Sequence, residues 1–210
     1  MVEVIAFNYG NEELISNTYL LVDSNKDVVV VDPGKKYDGI SSYILKNGLR
    51  LKAVLLTHAH FDHIQGVDIL LSAYNAPLYC HFEEGPKLAS PHLNCSEFVD
   101  HPVIIEANPI FLKDKEILKG LLEEDIKVIH TPFHTNGSVC FYLKKSKILL
   151  SGDTLFRFTI GRTDLPTGSK DTVSSSLKKL KDLPDDVDVY PGHSRPTTMG
   201  FEKLHNRNFL

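Results

Sequence analysis

The chain has 210 residues and a net charge of −4 with neutral histidine, and 42% of its residues are hydrophobic. This ordinary composition excludes a disordered chain, and the length predicts one domain over residues 1–210. Without a basic excess, no nucleic-acid partner is expected, and without a signal peptide or long apolar stretch, no membrane partner is expected either. Cys80, Cys95 and Cys140 are scattered and odd in number, which favours a reducing, cytoplasmic location.

Hydrophobic patterning predicts strands and helices in a repeated order. Four consecutive valines at 28–31 are typical of a strand buried on both faces. Ile40 and Ile44 predict an amphipathic helix that ends near Gly48. Residues 83–125 hold four prolines and no sustained period, so loops with a helical turn or two and one or two short strands are expected. The other predicted strands are 2–7, 18–23, 52–57, 78–80, 126–130, 138–143, 147–150 and 187–190, and the other predicted helices are 67–74 and 174–180. This order predicts two mixed sheets covered by helices.

The densest polar motif is Thr57-His58-Ala59-His60-Phe61-Asp62-His63, which comes directly after a predicted strand. His58 and His60 alternate, so in an extended segment they point the same way, whereas Asp62 and His63 lie in the turn beyond them. Imidazole nitrogens and carboxylate oxygens are ligands that zinc and iron accept. Four such side chains in six positions favour two metals over one. A polar turn merely rich in histidine is the alternative, but packed imidazoles would repel one another once protonated.

Three later turns each place a ligand-type residue just beyond an apolar strand. These residues are His134, Asp153 and His193. Each one taken alone is a weak signal. If the strand ends lie on one edge of the sheets, the three side chains converge on the first cluster.

These motifs resemble those of the metallo-β-lactamase superfamily, and within it the short glyoxalase II-like hydrolases. The resemblance covers nearly the whole chain, and the segments that carry it are 17–20, 31–34, 57–63, 152–156, 161–164 and 191–194. It implies an α/β (α+β) fold, a four-layer αββα sandwich with the metals at one edge. The first metal would take His58, His60 and His134. The second would take Asp62, His63 and His193, and Asp153 would bridge the two.

The resemblance implies a dinuclear hydrolase, and the chemistry agrees with it. Two divalent cations can share a water and lower its pKa towards 7, and zinc is the expected metal, with iron or manganese as alternatives. Asp62 is expected to orient the bridging hydroxide and is the candidate catalytic residue. A thiolate leaves without a strong acid, so the expected substrate and partner is a small thioester. Asp32 is interpreted either as a partner of a ligating histidine or as a turn cap.

Two positions depart from the family pattern. Phe133 stands where the family usually has glycine, and Asn136 stands where it usually has proline, so the family pattern does not predict the shape of the substrate mouth at these two positions. Arg157 and Arg162 could contact a substrate carboxylate, or Arg162 could pair with Asp164. The remaining histidines are expected on the surface or in hydrogen bonds: His81, His92, His101, His130 and His205.

Other functions stay open at this point. Persulfide dioxygenases resemble this branch and use a single iron, so the motif does not separate them from a hydrolase. A non-enzymatic metal-binding domain is the third hypothesis. Lactamase and nuclease activities are disfavoured, because a bridging Asp153 is not the lactamase pattern and no basic surface marks a nucleic-acid site. The oligomeric state is not predicted.

Overall fold

The computed structural model describes residues 1–7, 16–34 and 38–209 of the chain. Its first mixed sheet contains six strands in chain order: β1 Glu3–Phe7, β2 Thr18–Val22, β3 Asp27–Val31, β4 Arg50–Leu55, β5 Leu78–His81 and β6 Ile110–Leu112. Strands β1 to β3 are antiparallel and β3 to β6 are parallel. The predicted hairpin of β2 and β3 is confirmed, and Asp23 Oδ1 accepts the backbone N–H groups of Asn25 and Asp27 in its turn.

The second sheet is also mixed. Its strands are β7 Ile117–Leu118, β8 Ile126–His130, β9 Val139–Leu143, β10 Ile148–Gly152, β13 Asp188–Pro191 and β14 Thr197–Thr198, in the spatial order β14-β13-β10-β9-β8-β7. A separate two-stranded hairpin consists of β11 Leu155–Phe156 and β12 Thr159–Ile160. The helices are α1 Asp38–Lys46, α2 Phe61–Ile64, α3 Val67–Ala73, α4 Gly85–Leu88, α5 Val173–Lys181 and α6 Met199–His205.

Alternating side chains build three apolar layers. In β3, Val29 and Val31 point into the layer between the sheets, where they join Phe141 and Leu150 of the second sheet. Val28 and Val30 point to the other face, which α1 and α3 cover. A third layer lies between the second sheet and α5. Because each sheet buries both faces, the architecture is the predicted αββα sandwich.

The structure contains short elements that the sequence predicts and others that it does not. Residues 83–125 contain the expected short strands, β6 and β7, and the short helix α4. The hairpin of β11 and β12 was not predicted, and neither were β14 and α6. Helix α6 has only seven residues and carries Gly200 at its second position, which weakens any helical signal. The Thr198 hydroxyl caps it by accepting the N–H of Phe201.

None of the helices in the described residues is both long and apolar enough to cross a membrane.

Candidate metal centre

One edge of the sandwich gathers the ends of four strands. Strands β8 and β10 are each antiparallel to β9, so they run in the same direction, and β13 is parallel to β10. Their carboxyl ends therefore meet, and His134, Asp153 and His193 lie in the segments just beyond them. The first sheet contributes the segment after β4, and the backbone N–H of Val139 bonds to the carbonyl of Thr57 across the two sheets at 2.8 Å.

Three of the predicted residues form a first group. His58, His60 and His134 each offer one ligand atom, and these atoms lie within 4.8 Å of one another. Nε2 of His134 is 2.9 Å from Nδ1 of His60. All three side chains are buried, so they could hold one metal ion at the inner end of the site.

The other predicted residues form a second group beside the first. Asp62, His63 and His193 also offer atoms within 4.8 Å of one another, and Asp62 Oδ2 is 3.2 Å from His193 Nε2. Asp153 lies between the groups, with Oδ2 3.3 Å from His134 Nε2 and Oδ1 3.4 Å from His63 Nε2. The structure thus brings all seven residues into one cluster.

Hydrogen bonds at the far side of the rings set which nitrogens carry protons. Nδ1 of His63 lies 3.0 Å from Asp32 Oδ2, and Nδ1 of His134 lies 2.9 Å from the Arg162 carbonyl. Carboxylates and carbonyls only accept, so each Nδ1 carries the proton and a neutral ring presents a bare Nε2 to the cluster. The Thr57 hydroxyl donates to Asp32 and can only accept from Nδ1 of His58, at 3.2 Å, which leaves His58 Nε2 bare as well.

Asp32 therefore combines the two interpretations drawn from the sequence. Its Oδ1 accepts the N–H of Thr57 at 2.7 Å, which caps the turn after β4, and its Oδ2 partners His63. The residue has a φ of +50°, which is uncommon for a residue with a side chain.

Several ligand atoms that face the inside of the cluster have no hydrogen-bond partner, and bound cations would coordinate them. Within the described part of the chain, His58 Nε2, His63 Nε2 and Asp153 Oδ1 are buried and have no hydrogen-bond partner. A buried polar atom without a partner costs free energy, and three in one place are explained by a bound ion. Nitrogen and carboxylate oxygen donors suit divalent metals such as zinc or iron.

Without metal, the pKa shifts favour the ligand form of His58, His60 and Asp153. Burial, followed by the charges of His63 and His60, lowers the pKa of His58 well below 6.5, and burial with neighbouring His134 lowers the pKa of His60 to about 3. Burial alone would raise the pKa of Asp153, but the charges and the hydrogen bond of the surrounding histidines, with His63 the largest contributor, together outweigh burial and hold that pKa below its ordinary value. Neutral imidazoles and an ionised carboxylate are the forms that bind metals. Burial would also lower the pKa of His63 and His193, but the neighbouring carboxylates raise both, so these two rings give up a proton when a metal binds.

A cavity of about 540 Å³ opens onto the cluster. Apart from the predicted ligands, the described residues lining it include Phe61, Cys95, Phe156, Ile160, Arg162 and Leu165. The Arg162 guanidinium pairs with Asp164 in two hydrogen bonds of 2.7 and 2.8 Å, so of the two interpretations the ion pair is observed. Arg157 stacks over the Phe201 ring at 4.2 Å.

Phe133 and Asn136, whose effect on the mouth the sequence leaves open, are not among the described residues that line the cavity. The Phe133 side chain is completely buried in the apolar layer under α5, with Leu177 and Leu180. Asn136 instead bonds to Glu83 and Lys87. Both residues therefore fix the segment that carries His134, Phe133 by packing under α5 and Asn136 by its hydrogen bonds.

Sequence reasoning missed a buried charged pair next to the site. Glu84 and Lys87 are 0% and 1% exposed, and they pair at 2.9 Å. Charged residues three positions apart in a region of weak pattern are typical of a solvated helical turn, so no local signal marked them. The ring of His81 stacks on that of His130 at 4.0 Å, outside the cluster.

The fold and the site define an αββα protein with a His/Asp cluster suited to divalent metals at the sheet edge. The family model described as the metallo-beta-lactamase superfamily matches residues 11–193, and the chain belongs to that superfamily. Probable metallo-hydrolase M6_Spy0554 of Streptococcus pyogenes serotype M6 is 38% identical over 201 residues, covering 92% of this chain and 85% of that protein. Hydroxyacylglutathione hydrolase GloC of Haemophilus influenzae is 33% identical over 193 residues, covering 90% and 91%.

Solved structures are similar over the whole length. The structure named BLEG-1 B3 metallo-beta-lactamase has a TM-score of 0.89 and 35% identity, covering 100% of this chain and 99% of that one. That of TTHA1623 in a di-iron-bound form has a TM-score of 0.85 and 33% identity, covering 97% and 100%. The family, the metallo-hydrolase relative and the cluster together support a metal-dependent hydrolase.

Proposed function

We propose that the chain is a dinuclear metal-dependent hydrolase that cleaves a small thioester. The position of Asp153 carries the proposal, because its two oxygens lie 3.3 Å from His134 and 3.4 Å from His63, which belong to different ligand groups. We assign His58, His60 and His134 to the first metal and Asp62, His63 and His193 to the second, with Asp153 shared. Zinc is the proposed metal, and the di-iron-bound TTHA1623 supports iron as the alternative.

Bound divalent ions would supply Lewis acidity and a water of lowered pKa. The chain's own residues supply the orientation. The carboxylate of Asp62 lines the cavity and accepts a hydrogen bond from the attacking water, which directs a lone pair at the carbonyl carbon. Phe61, Phe156 and Leu165 give the cavity apolar walls, which would keep water from a bound substrate and lower the dielectric around the charges of the site.

The leaving group is inferred from the proton donors that the cavity offers. Among the described residues that line it, the titratable groups outside the proposed ligands are Cys95 and Arg162. Burial raises the pKa of Cys95, and Arg162 is held by Asp164. Neither is a ready proton donor, and a thiolate leaves without one. The relative named hydroxyacylglutathione hydrolase also supports a thioester.

Metal content and thioester turnover test the proposal. Protein purified without chelators is expected to hold about two equivalents of zinc, iron or manganese per chain, and to hydrolyse a thioester in a panel that includes S-lactoylglutathione. His58→Ala and Asp153→Ala are expected to lose both metal and activity, whereas Asp164→Ala, which removes the exposed partner of Arg162, is expected to keep its metal. Full metal and turnover in either ligand variant would overturn the ligand assignment.

Two other outcomes would redirect the proposal. About one iron per chain, with oxygen uptake on a thiol persulfide, would replace it with a mononuclear iron dioxygenase. The similar structure named as a B3 metallo-beta-lactamase supports β-lactam hydrolysis as a second candidate function. Turnover of a cephalosporin faster than of every thioester in the panel would favour that candidate.

A further inference from the structure

The buried pair of Glu84 and Lys87 is fully satisfied by hydrogen bonds. The Lys87 ammonium donates to the Glu83 carbonyl at 2.6 Å, to Glu84 Oε1 at 2.9 Å and to Asn136 Oδ1 at 2.6 Å. These contacts use all three of its N–H groups. Burying such a pair costs free energy, and the pair by itself contributes little to the net stability of the fold. Its contacts with the neighbouring segments are therefore the feature that needs an explanation.

The remaining contacts of Glu84 reach both ligand segments. Oε2 accepts the backbone N–H of Ala59 at 2.7 Å, and Oε1 accepts the hydroxyl of Thr135 at 2.7 Å. Ala59 lies between His58 and His60, and Thr135 comes directly after His134. One carboxylate thus joins the neighbours of all three residues in the first ligand group. All of its contacts are donors, so it carries no proton.

Two further residues shape the place that Glu84 occupies. A Cβ on Gly137 would lie 2.4 Å from Glu84 Oε1, so any larger residue there would push the carboxylate away. Asn136 receives Lys87 on its side-chain oxygen and donates its amide to Glu83 Oε2 at 2.7 Å. Asn136, which stands where the family usually has proline, therefore links the segment of His134 to the ion pair of Glu84 and Lys87.

We propose that Glu84 is a positioning residue that holds the His58–His60 segment and the His134 segment at the spacing the first metal requires, with Lys87 keeping its carboxylate in place. The inference rests on the metal ligands assigned under the proposed function. Outer partners of metal ligands typically change metal affinity about 10–100-fold when they are removed. The pair is expected to act on metal binding more than on the fold.

Two matched double variants separate positioning from the burial of charge. Glu84→Gln with Lys87→Met removes both charges but keeps an amide oxygen for the Ala59 N–H and an amide N–H₂ for the Thr135 hydroxyl. Glu84→Met with Lys87→Met also removes both charges but leaves those groups without this partner. Neither variant buries an unpaired charge, so they differ in the hydrogen bonds alone.

Cobalt(II) is the probe, titrated into metal-free protein and followed by its d–d absorption, with zinc affinity measured by chelator competition. The Met/Met variant is expected to bind the first cobalt about tenfold or more weakly, with an altered spectrum, and the Gln/Met variant to bind within about threefold of wild type. Thermal unfolding of the metal-free proteins shows whether both variants fold. Glu124→Gln is the control, because Glu124 is buried and binds the N–H groups of Lys145 and Ser146 in a turn remote from the cluster.

Equal cobalt affinity of the two double variants would overturn the inference and leave the proposed function standing. Failure of the wild-type protein to bind cobalt would overturn the proposed function, and the inference with it. If the Met/Met variant does not fold, Gly137→Ala takes its place, since it displaces Glu84 while every hydrogen-bonding group is kept. Wild-type cobalt affinity in Gly137→Ala would then overturn the inference.

Discussion

The Nδ1 atom of His63 lies 3.0 Å from Oδ2 of Asp32, and both side chains are buried. The same oxygen accepts the hydroxyl of Thr57 at 2.5 Å, and that hydroxyl lies 3.2 Å from Nδ1 of His58. Asp32 therefore fixes the tautomer of His63 directly and that of His58 through Thr57. It directly follows strand β3 of the first sheet, 25 residues before Thr57 and 31 residues before His63.

Asp32→Asn is expected to weaken zinc binding about 10–100-fold, the range typical of outer partners of metal ligands. Asparagine tolerates the left-handed backbone at this position. Its amide nitrogen would oppose the backbone N–H of Thr57 if it replaced Oδ1, or both the Thr57 hydroxyl and the His63 N–H if it replaced Oδ2. Chelator competition on metal-free protein measures the change. Asp27→Asn is the control, because Asp27 begins the strand that leads to Asp32 and pairs with exposed Arg50. Unchanged zinc affinity in Asp32→Asn would contradict the prediction.

Gly192→Ala is expected to lower the metal content while the protein still folds. A Cβ at this position would lie 2.2 Å from Asp153 Oδ1 and 2.7 Å from His63 Cε1, so both side chains would have to move. Gly120→Ala is the control, since no atom of the described residues lies within 4 Å of its added Cβ and its φ of +73° costs backbone strain alone, about 1–2 kcal/mol. Elemental analysis should find the full metal content in the control only. Full metal in both variants would count against a bridging Asp153.

Phe133→Ala is expected to reduce the free energy of unfolding by about 3–5 kcal/mol and to leave KM for a thioester unchanged. The reason is that the ring fills the layer under α5 and does not line the cavity. Urea unfolding and steady-state kinetics measure the two effects. Phe156→Ala is the comparison, because Phe156 lines the cavity and should change KM instead. A raised KM with unchanged stability in Phe133→Ala would contradict this prediction and show that Phe133 shapes the mouth of the cavity.

His81 is expected to make the metal-free protein less stable as the pH falls. Burial and the stacked ring of His130 lower the pKa of His81 from 6.5 to about 4. Lys87 and Lys179 act in the same direction, and Asp114 opposes them. Between about pH 4 and 6.5 the unfolded chain therefore binds more protons, so the free energy of unfolding decreases as the pH is lowered through this window.

Urea midpoints measured across that window test the effect in the presence of a chelator. His58 and His60 contribute in the same direction, so the wild-type protein loses stability through all three groups. His81→Gln should lose less between pH 6.5 and 4, because the amide does not titrate. Parallel curves for the two proteins would show that His81 does not contribute.

The sequence by itself determined the elements and groups whose signal is local. Four valines in a row at 28–31 predict a strand buried on both faces, and the structure divides them between two apolar layers. The motif from Thr57 to His63 predicts a metal cluster because alternation and the turn beyond it are properties of a short segment. The later strand ends predict where His134, Asp153 and His193 stand along the chain, and chain order with the family resemblance predicts the sandwich.

Only the tertiary structure decided which distant groups meet. The sequence leaves the direction of the Phe133 side chain open, since the glycine usual in the family has none, and packing against α5 settles it. The sequence also gives no sign that Glu84 is buried, because its partners Ala59 and Thr135 are 25 and 51 residues away. Charged residues in an irregular segment are usually solvated. Glu84 is held inside because folding surrounds it with three donors at once, and that is a property of contacts between segments.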